Sequence, residues 1–236
     1  MPDRPRPSNL RFNHFTQDTQ GFVSLGVFVL ELIVIQTIVC DMGNVLVHFS
    51  HERMCAQIGA LCGRTAAEIR VLLMDSGLNA DFERGFLSPD EMHQRLSRLV
   101  GQELDIHAVA QAYADIFTLN EPMLPLLDAL REQGHRLVLL SNTSVWHFDF
   151  IWERFPILQR FDEFVVSYRA GAIKPEAAIF HAVVSVLNCP PENAFYTDDI
   201  ADYIRIGREH GMQAEIFTDA SAMRGHLADR GIELPE

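Results

Sequence analysis

Cysteine is scarce in this chain of 236 residues, and the few that occur are scattered. None of the four, Cys40, Cys55, Cys62 and Cys189, belongs to a Cys-x-x-Cys pair. This spacing excludes the common structural zinc motifs and gives no disulfide framework of the kind found in small secreted domains. We therefore expect four reduced, mostly buried thiols and a cytoplasmic protein.

Positive charge is also in short supply. Nineteen lysines and arginines stand against 32 aspartates and glutamates, which gives a formal net charge of −13. An acidic surface repels the phosphate backbone, so the sequence predicts no nucleic-acid partner. A small anionic substrate is still compatible with this balance, because a binding site can be locally positive.

The sequence lacks an uninterrupted apolar run of membrane-spanning length. The longest candidate, "GFVSLGVFVLELIVIQTIVC" at 21–40, is broken by Glu31 and Gln36, and its last part resembles a buried strand that ends before Asp41. Without that strand about a dozen apolar residues remain, fewer than the ~20 that a spanning helix needs. We expect no stable membrane association. Residues 1–32 are either a poorly ordered tail or lie upstream of the true start, and the sequence leaves both open.

Helical patterns fill the first half of the remaining chain, and strands alternate with helices in the second half. The segment "SPDE" at 88–91 has the serine, proline and glutamate of a capping box at a helix start. After Gly134, short strands alternating with helices predict a parallel sheet with right-handed crossovers. The expected architecture is a doubly wound α/β core with an inserted helical cap. The predicted boundaries are 33–49 and 119–236 for the core and 50–118 for the cap.

Polar side chains follow three of the predicted strands where each strand ends. Asp41 follows the first, Ser141 and Asn142 close the second, and Asp198 and Asp199 close a later one. In open parallel sheets the ligand site lies beyond the carboxyl ends of the strands. We therefore expect these polar groups to converge.

Five ordered segments carry a resemblance to a known family. They are "DMGNVLVH" at 41–48, "FERGFLSPDE" at 82–91, "LLSNTSVWH" at 139–147, "SYRAGAIKPEAAIF" at 167–180 and "FYTDDIADYIRIGREHGM" at 195–212. Together they resemble the haloacid dehalogenase-like (HAD) hydrolase superfamily over roughly residues 34–220. The first segment is similar to the phosphatase branch whose first motif reads D-x-G-N-V, which includes sugar-1-phosphate phosphatases.

The resemblance implies a Rossmann-like core and a phosphatase that depends on Mg²⁺. Asp41 would be the nucleophile that attacks a small phosphomonoester, such as a sugar phosphate, and forms an aspartyl-phosphate. Mg²⁺ prefers oxygen ligands. Asp41, the Gly43 carbonyl and Asp199 would bind it, with Asp198 close by as a ligand or water-holder.

The resemblance also implies a phosphate-binding set. Lys174 would screen the nucleophile and the phosphoryl oxygens as a point charge, and Ser141 would donate a hydrogen bond to a phosphoryl oxygen. The other residues expected around the substrate are Gly43, Asn44, His48, Arg84 and Asn142.

Gly43 departs from the family pattern. Most relatives carry a second aspartate there, which serves as general acid and then general base. A glycine keeps the backbone carbonyl and removes the proton shuttle. Three explanations stay open: a leaving group that departs with little protonation, replacement of the shuttle by a cap residue or water, or loss of turnover.

Two further positions differ from the family. His48 stands where relatives usually carry aspartate, and it either contacts the substrate or packs on the cap as a linker residue. Tyr203 stands where Asn or Asp is common, with Asp202 one residue earlier, about 100° away on a helix. Whether Asp202 supports Lys174 or the metal is left open by the sequence.

Two other functions are compatible with the same motifs. A 2-haloacid dehalogenase would use Asp41 on carbon without a metal, but it would have no need of the paired acids Asp198 and Asp199. A non-catalytic phosphate-binding module would keep the pocket after losing turnover through Gly43. If the protein is a phosphatase, its expected partner is a small phosphorylated metabolite. Neither the identity of this metabolite nor the oligomeric state of the protein follows from the sequence.

Overall fold

A parallel sheet of five strands organises the part of the chain that the computed structural model describes, residues 34–235. The predicted N-terminal tail at 1–32 lies outside the described residues. In chain order the strands are β1 (Thr37–Cys40), β2 (Val47–Phe49), β3 (Phe117–Leu119), β4 (Arg136–Ser141), β5 (Glu163–Val166), β6 (Ala194–Asp198) and β7 (Gln213–Ile216). The main sheet has the order β5-β4-β1-β6-β7, and every pairing in it is parallel.

Eleven α-helices accompany these strands in the described residues. They are α1 (His51–Cys62), α2 (Ala66–Arg70), α3 (Leu78–Glu83), α4 (Pro89–Val100), α5 (Ile106–Ala114), α6 (Met123–Glu132), α7 (Val145–Arg154), α8 (Ser167–Ala170), α9 (Ala177–Val186), α10 (Ala201–Glu209) and α11 (Ala220–Ala228). A π-helical turn at Val71–Asp75 and short 3₁₀ turns at Pro156–Arg160 and Pro191–Asn193 complete the set. None of the helices within residues 34–235 has the length and apolar character of a membrane-spanning segment.

The central strands are buried on both faces, as parallel sheets require. Side chains alternate along β1, so Ile38 and Cys40 join one apolar cluster while Val39 joins the other. The first cluster includes apolar residues of α6, α7 and α11, and the second includes those of α9 and α10. Helices therefore cover both faces of the sheet. The predicted doubly wound α/β core is confirmed.

The helical segment enters and leaves the core through a two-stranded ribbon that the sequence analysis did not predict. Strand β2 pairs antiparallel with β3, with Val47 opposite Leu119 and Phe49 opposite Phe117. Helices α1 to α5 lie between these strands in the chain, and we call them the helical insert (residues 51–114). The capping box predicted at Ser88 is present: its side chain accepts from the Glu91 backbone, and the Glu91 carboxylate accepts from the Ser88 backbone.

The strand register brings the predicted polar residues to one edge of the sheet. Cys40 is paired with Leu139 on one side and with Thr197 on the other. One residue further along, Asp41 donates its backbone N–H to the Thr197 carbonyl at 3.0 Å. Asp41 therefore leaves the central strand directly beside the end of β6. The four cysteines are all free, with Cys40 and Cys55 buried.

Candidate active site

Lys174 connects the carboxylates at the ends of β1 and β6. Its Nζ donates to Asp41 Oδ1 at 2.7 Å, to Asp198 Oδ2 at 2.6 Å and to the Leu140 carbonyl at 3.0 Å. The lysine side chain is only 1% exposed. Because three oxygens at the sheet edge hold all three of its protons, the ammonium group has a fixed position beside the Asp41 carboxylate.

The electrostatic balance around Asp41 favours bound positive charge. Burial raises the pKa of Asp41 to about 7; the Lys174 ammonium opposes this, and the Asp198 carboxylate adds to it. The pKa of Lys174 is pulled down by burial but, on balance, held above its ordinary value by the two carboxylates. Asp41 is thus a carboxylate whose ionised form needs more cationic support than one lysine gives.

Asp198 is fully buried and already has its partners. Its Oδ2 accepts from Lys174 and from the Tyr196 hydroxyl at 2.6 Å, while its Oδ1 accepts from the Ile200 backbone N–H at 2.9 Å. These bonds hold the carboxylate in one orientation behind the lysine. Asp198 is therefore better placed to hold Lys174 than to contact a substrate directly.

Asp199 is the member of the acid pair that faces the cavity. Its Oδ2 accepts from the Asn44 side-chain amide at 2.8 Å, and Asn44 adopts a left-handed backbone conformation (φ 54°), which asparagine tolerates. The sequence analysis expected Asn44 to bind phosphate. Asn44 lines the cavity, and its amide also orients Asp199, so its contact with phosphate stays a prediction.

The carboxylates of Asp41, Asp198 and Asp199 form a cluster that can hold a metal ion. One oxygen from each lies within 4.8 Å of the others. Three carboxylates against one ammonium leave two negative charges, which a single divalent cation would balance. Oxygen-only ligands of this kind suit a hard cation such as Mg²⁺.

Asn142 fixes the loop that carries Lys174. Its Oδ1 accepts from the Lys174 backbone N–H at 2.7 Å, and its Nδ2 donates to the Lys174 carbonyl at 3.0 Å. Both ends of the amide are thus engaged with one residue. Asn142 also lines the cavity, so its predicted contact with the phosphate stays a prediction beside this positioning role.

Ser141 ends β4 at the same sheet edge and is almost fully buried. Its hydroxyl makes one long contact, 3.4 Å to the Asn142 carbonyl, and it is not among the residues that line the cavity. The next residue along that lines the cavity with a hydroxyl is Thr143. The role of Ser141 as a phosphate donor stays a prediction.

The ring of Phe49 crowds Gly43. A Cβ built on Gly43 would lie 2.9 Å from Phe49 Cε1, closer than real Cβ contacts allow, and 3.8 Å from Asp41 Oδ2. The space beside the Asp41 carboxylate that a larger side chain would enter is therefore filled by an aromatic ring. Phe49 and Gly43 both line the cavity.

A cavity of about 240 Å³ opens above these residues and is walled in part by the helical insert. Apolar side chains of Met42, Phe49, Ile116, Phe117 and Ile200 form much of its lining. Beyond Asp41, Lys174 and Asp199, the titratable residues that line it are His51, Glu83, His147 and Tyr203. Glu83 was not predicted from the sequence as a site residue, although it lies in the segment "FERG" at 82–85.

Two residues expected near the substrate lie elsewhere. The guanidinium of Arg84 pairs with the Glu176 carboxylate and is not part of the cavity lining. His48 is exposed on β2 and pairs across the ribbon with Thr118, because alternation along the strand gives the cavity face to Phe49. Both expectations are therefore corrected: a salt bridge holds Arg84 and strand geometry turns His48 away.

Tyr203 replaces the family's usual polar residue beside the lysine, and Asp202 does not compensate for it. The Tyr203 ring lies 5.1 Å from Lys174 Nζ, in the range of a cation–π contact. Asp202 is exposed and accepts from the Arg205 guanidinium at 2.6 Å, on the outer face of α10. The lysine is thus supported by an aromatic face.

Comparisons with known proteins identify the family. A family model described as haloacid dehalogenase-like hydrolase matches residues 35–211. A D-ribitol-5-phosphate phosphatase from Bacteroides thetaiotaomicron is 31% identical over 189 residues, which cover 76% of this chain and 90% of that protein.

Solved structures give the same fold. A HAD family enzyme from Bacteroides thetaiotaomicron, in complex with magnesium and inorganic phosphate, superposes with a TM-score of 0.69 and 23% identity, covering 78% of this chain and 95% of that one. A HAD-like family hydrolase from Porphyromonas gingivalis has a TM-score of 0.72 and 26% identity, over 85% and 99% of the two chains.

Proposed function

The chain belongs to the haloacid dehalogenase-like hydrolases, as a phosphatase with Mg²⁺ as cofactor, and we propose that it hydrolyses a small phosphorylated polyol or sugar through a phosphorylated Asp41. The observation that carries the proposal is the contact of Lys174 with Asp41 and Asp198, beside the open carboxylate of Asp199. Burying the charged groups of Asp41, Asp198 and Lys174 costs free energy. Such a cluster is what a nucleophilic carboxylate next to a metal ion requires.

Asp41 attacks the phosphorus and forms an acyl phosphate, and water then releases the phosphate. Lys174 stays protonated throughout and stabilises the charge on the nucleophile and the phosphoryl oxygens, at a distance fixed by its three hydrogen bonds. Thr143, two residues after the end of β4, lines the cavity with a hydroxyl that can donate to a phosphoryl oxygen, and Ser141 at the end of β4 is the donor that the sequence predicts.

The residues present fit a magnesium ion. Asp41 and Asp199 would hold it together with the Gly43 carbonyl, and Asp198 would keep Lys174 in place. When bound, Mg²⁺ neutralises the negative charge that the two acids and the phosphoryl group bring together. The raised pKa of Asp41 reflects the same need for positive charge.

In this proposal the helical insert forms most of the cap, which the sequence predicts at residues 50–118. It contributes His51 and Glu83 to the cavity and keeps bulk water away from the phosphoryl group. A cavity of about 240 Å³ with a mostly apolar lining suits a small metabolite. The D-ribitol-5-phosphate phosphatase among its relatives supports a phosphorylated polyol or sugar as the substrate class.

A phosphate-release panel tests the proposal. The purified chain is assayed with Mg²⁺ or with EDTA on polyol phosphates, sugar 1-phosphates, sugar phosphates esterified at a primary hydroxyl, phosphoglycolate and p-nitrophenyl phosphate. We expect Mg²⁺-dependent turnover that Asp41→Asn abolishes, and a phosphorylated Asp41 in rapidly quenched samples analysed by mass spectrometry. Turnover that survives EDTA or Asp41→Asn would contradict the mechanism. Release of halide from 2-chloropropionate without metal would indicate a dehalogenase instead.

A further inference from the structure

The crowding of Gly43 by Phe49 leaves the leaving group without a proton donor next to the nucleophile. An alkoxide is a poor leaving group, so hydrolysis of an alkyl phosphate needs a general acid on the side of the phosphorus opposite Asp41. In-line attack from the floor of the cavity directs the leaving oxygen towards the helical insert. The donor must therefore be sought among the titratable groups on that side of the cavity.

His147 has no proton to spare. Its Nε2 contacts the Tyr113 carbonyl at 3.1 Å, so the ring proton lies on Nε2 and is used there. The ring stacks on Tyr113 at 4.4 Å and is almost fully buried. Burial lowers the pKa of His147 to about 3, so the imidazole stays neutral. The residue is a buried structural histidine at the edge of the site.

A residue that serves both halves of the reaction must first donate a proton and then accept one. His51 and Tyr203 each favour only one of the two protonation states that this requires. Burial, with Arg70 nearby, lowers the pKa of His51, so its imidazole starts without the proton that a leaving group would take. Burial raises the pKa of Tyr203 further above its ordinary value of 10.0, so the phenolate, the form that would take a proton from water, is disfavoured. Neither residue can serve in both halves of the reaction.

Glu83 has the position and the support that this task requires. It ends α3 and lines, from the insert, the same cavity as Asp41, Lys174 and Asp199. The buried Asn79 accepts from the Tyr113 hydroxyl at 2.5 Å, and this bond orients its amide towards the Glu83 carboxyl. Burial raises the pKa of Glu83, against smaller opposing effects of Asn79 and Arg84, so its protonated form persists closer to neutral pH.

Three consecutive residues fix this end of α3 to the core. The Glu83 carbonyl accepts from the Ser167 hydroxyl at 2.6 Å, and that hydroxyl is held by the backbone of Thr143 at the end of β4. Arg84 pairs with Glu176, two residues after Lys174 in the chain. Gly85 lies so close to Tyr168 that a Cβ would be 2.1 Å from its carbonyl oxygen. We call residues 83–85 the latch, because they hold the Glu83 side chain over the cavity.

We propose that Glu83 is the catalytic acid and base for the leaving group, in place of the side chain that Gly43 lacks. This inference rests on the proposed phosphatase function and extends it. In the first half-reaction an Asp41 oxygen bonds to phosphorus, the P–O bond to the alcohol breaks, and the leaving oxygen takes the Glu83 proton. In the second, a water oxygen bonds to phosphorus, Glu83 takes the water proton, and the P–O bond to Asp41 breaks. Glu83 ends protonated, as it began.

The proposal assigns a substrate class to the cavity. With Glu83 as acid, phosphate esters of primary alcohols, which leave poorly without protonation, become substrates. The enzyme is then not restricted to anomeric or acyl phosphates, whose leaving groups depart unaided. A phosphorylated polyol belongs to the first class.

Leaving-group dependence in Glu83→Gln tests the assignment. Gln has the size of Glu and cannot transfer a proton, so the fold and the latch should persist. We expect kcat/KM for a polyol phosphate to fall by about 100-fold or more, the scale of general acid catalysis. On p-nitrophenyl phosphate, whose anion leaves unaided, formation of phosphorylated Asp41 in a single-turnover burst should change by less than about 5-fold.

The controls separate this inference from the function itself. Glu52→Gln, an exposed acid of α1 outside the cavity, should match the wild type on both substrates. An equal loss on both substrates in Glu83→Gln, a rise in KM alone, or a leaving-group-dependent loss in His51→Gln instead would overturn the role of Glu83 while leaving the phosphatase intact. Absence of Mg²⁺-dependent turnover in the wild type on every phosphate tested would overturn the proposed function.

Discussion

The ring of Phe49 occupies the space that a side chain on Gly43 would enter: a Cβ at position 43 would lie 2.9 Å from Phe49 Cε1. Phe49 is held there by its place on β2, opposite Phe117, and by an aromatic contact with His51 at 5.0 Å between ring centroids. The absence of a side chain on Gly43, beside the Asp41 carboxylate, and the position of the Phe49 ring therefore depend on each other. Restoring an acid at position 43 requires room as well as a carboxylate.

Gly43→Asp alone is expected to destabilise the protein, and in the Glu83→Gln background it should not restore turnover of a polyol phosphate. Forcing a side chain against Phe49 and bringing a fourth carboxyl group to the acidic cluster should lower the free energy of unfolding by about 1–3 kcal/mol. Chemical denaturation measures this loss. The double variant Gly43→Asp/Phe49→Ala gives the carboxyl its space, and in the Glu83→Gln background it should recover turnover of a polyol phosphate. Full recovery of turnover by Gly43→Asp in the Glu83→Gln background, with Phe49 in place, would contradict this account.

Lys174→Gln should be among the most destabilising substitutions in the core. It removes the only cation that hydrogen-bonds the buried carboxylates of Asp41 and Asp198 within the described residues. Breaking a buried ion pair from one side costs about 3–5 kcal/mol, because a charge is left unpaired. Denaturant titration in EDTA measures it. Arg205→Gln, which breaks an exposed pair with Asp202, is the control and should cost far less. Similar losses in the two variants would contradict a buried network.

The sheet and the position of the acids at its edge could be predicted from the sequence because they depend on local patterns. The central strands β1 and β4 are short, mostly apolar runs; Asp41 directly follows β1, while Ser141 and Asp198 end β4 and β6. Parallel pairing then forces strand ends to one edge. The ribbon of β2 and β3 was missed because each strand is three residues long and the two partners are separated by the whole insert.

The direction of side chains in the insert could not be predicted in the same way. Glu83 and Arg84 are adjacent in the chain, and the sequence analysis chose the arginine as the substrate contact. The carboxylate of Glu176, more than 90 residues later, binds the Arg84 guanidinium outside the cavity, whereas Glu83 lines the cavity. A long-range ion pair of this kind has no local sequence signal.

Asp41→Asn should stabilise the metal-free protein at neutral pH while abolishing turnover. The folded pKa of Asp41 is about 7, well above its ordinary value of 3.8, so between these values the folded state binds more protons than the unfolded state. The contribution of Asp41 to the free energy of unfolding therefore falls as pH rises through this window. Thermal unfolding in EDTA should show the stability of Asp41→Asn relative to wild type increasing from about pH 4 to about pH 7. A constant difference across that range would contradict the raised pKa.

His147→Asn should remove a contribution to the free energy of unfolding whose pH dependence is opposite in sign to that of Asp41. The folded pKa of His147 is about 3, below its ordinary value of 6.5, so between these values the unfolded state binds more protons. The histidine's contribution is present above pH 6.5 and is lost as pH falls, at up to about 1.4 kcal/mol per pH unit. The stability advantage of the wild type over His147→Asn should shrink as pH is lowered towards 4. An advantage that grows on acidification would show that the imidazole is protonated in the folded protein.

Gly85→Ala and Gly101→Ala form a matched pair that tests the latch. Both glycines end helices of the insert in the left-handed region, with φ of 72° and 79°. Alanine at either position carries the same backbone strain, about 1–2 kcal/mol. They differ in surroundings: a Cβ on Gly85 would collide with the Tyr168 carbonyl of the core, whereas a Cβ on Gly101 would have no heavy atom within 4 Å.

The collision at Gly85 should displace the end of α3 and move Glu83 away from the cavity. We therefore expect Gly85→Ala to lose turnover of a polyol phosphate to about the level of Glu83→Gln, at saturating Mg²⁺ and at a temperature where the variant is folded. Gly101→Ala should lose stability alone and keep its kcat. If both variants kept full kcat, residues 83–85 would be a packing contact between the insert and the core, and the position of Glu83 would not depend on them.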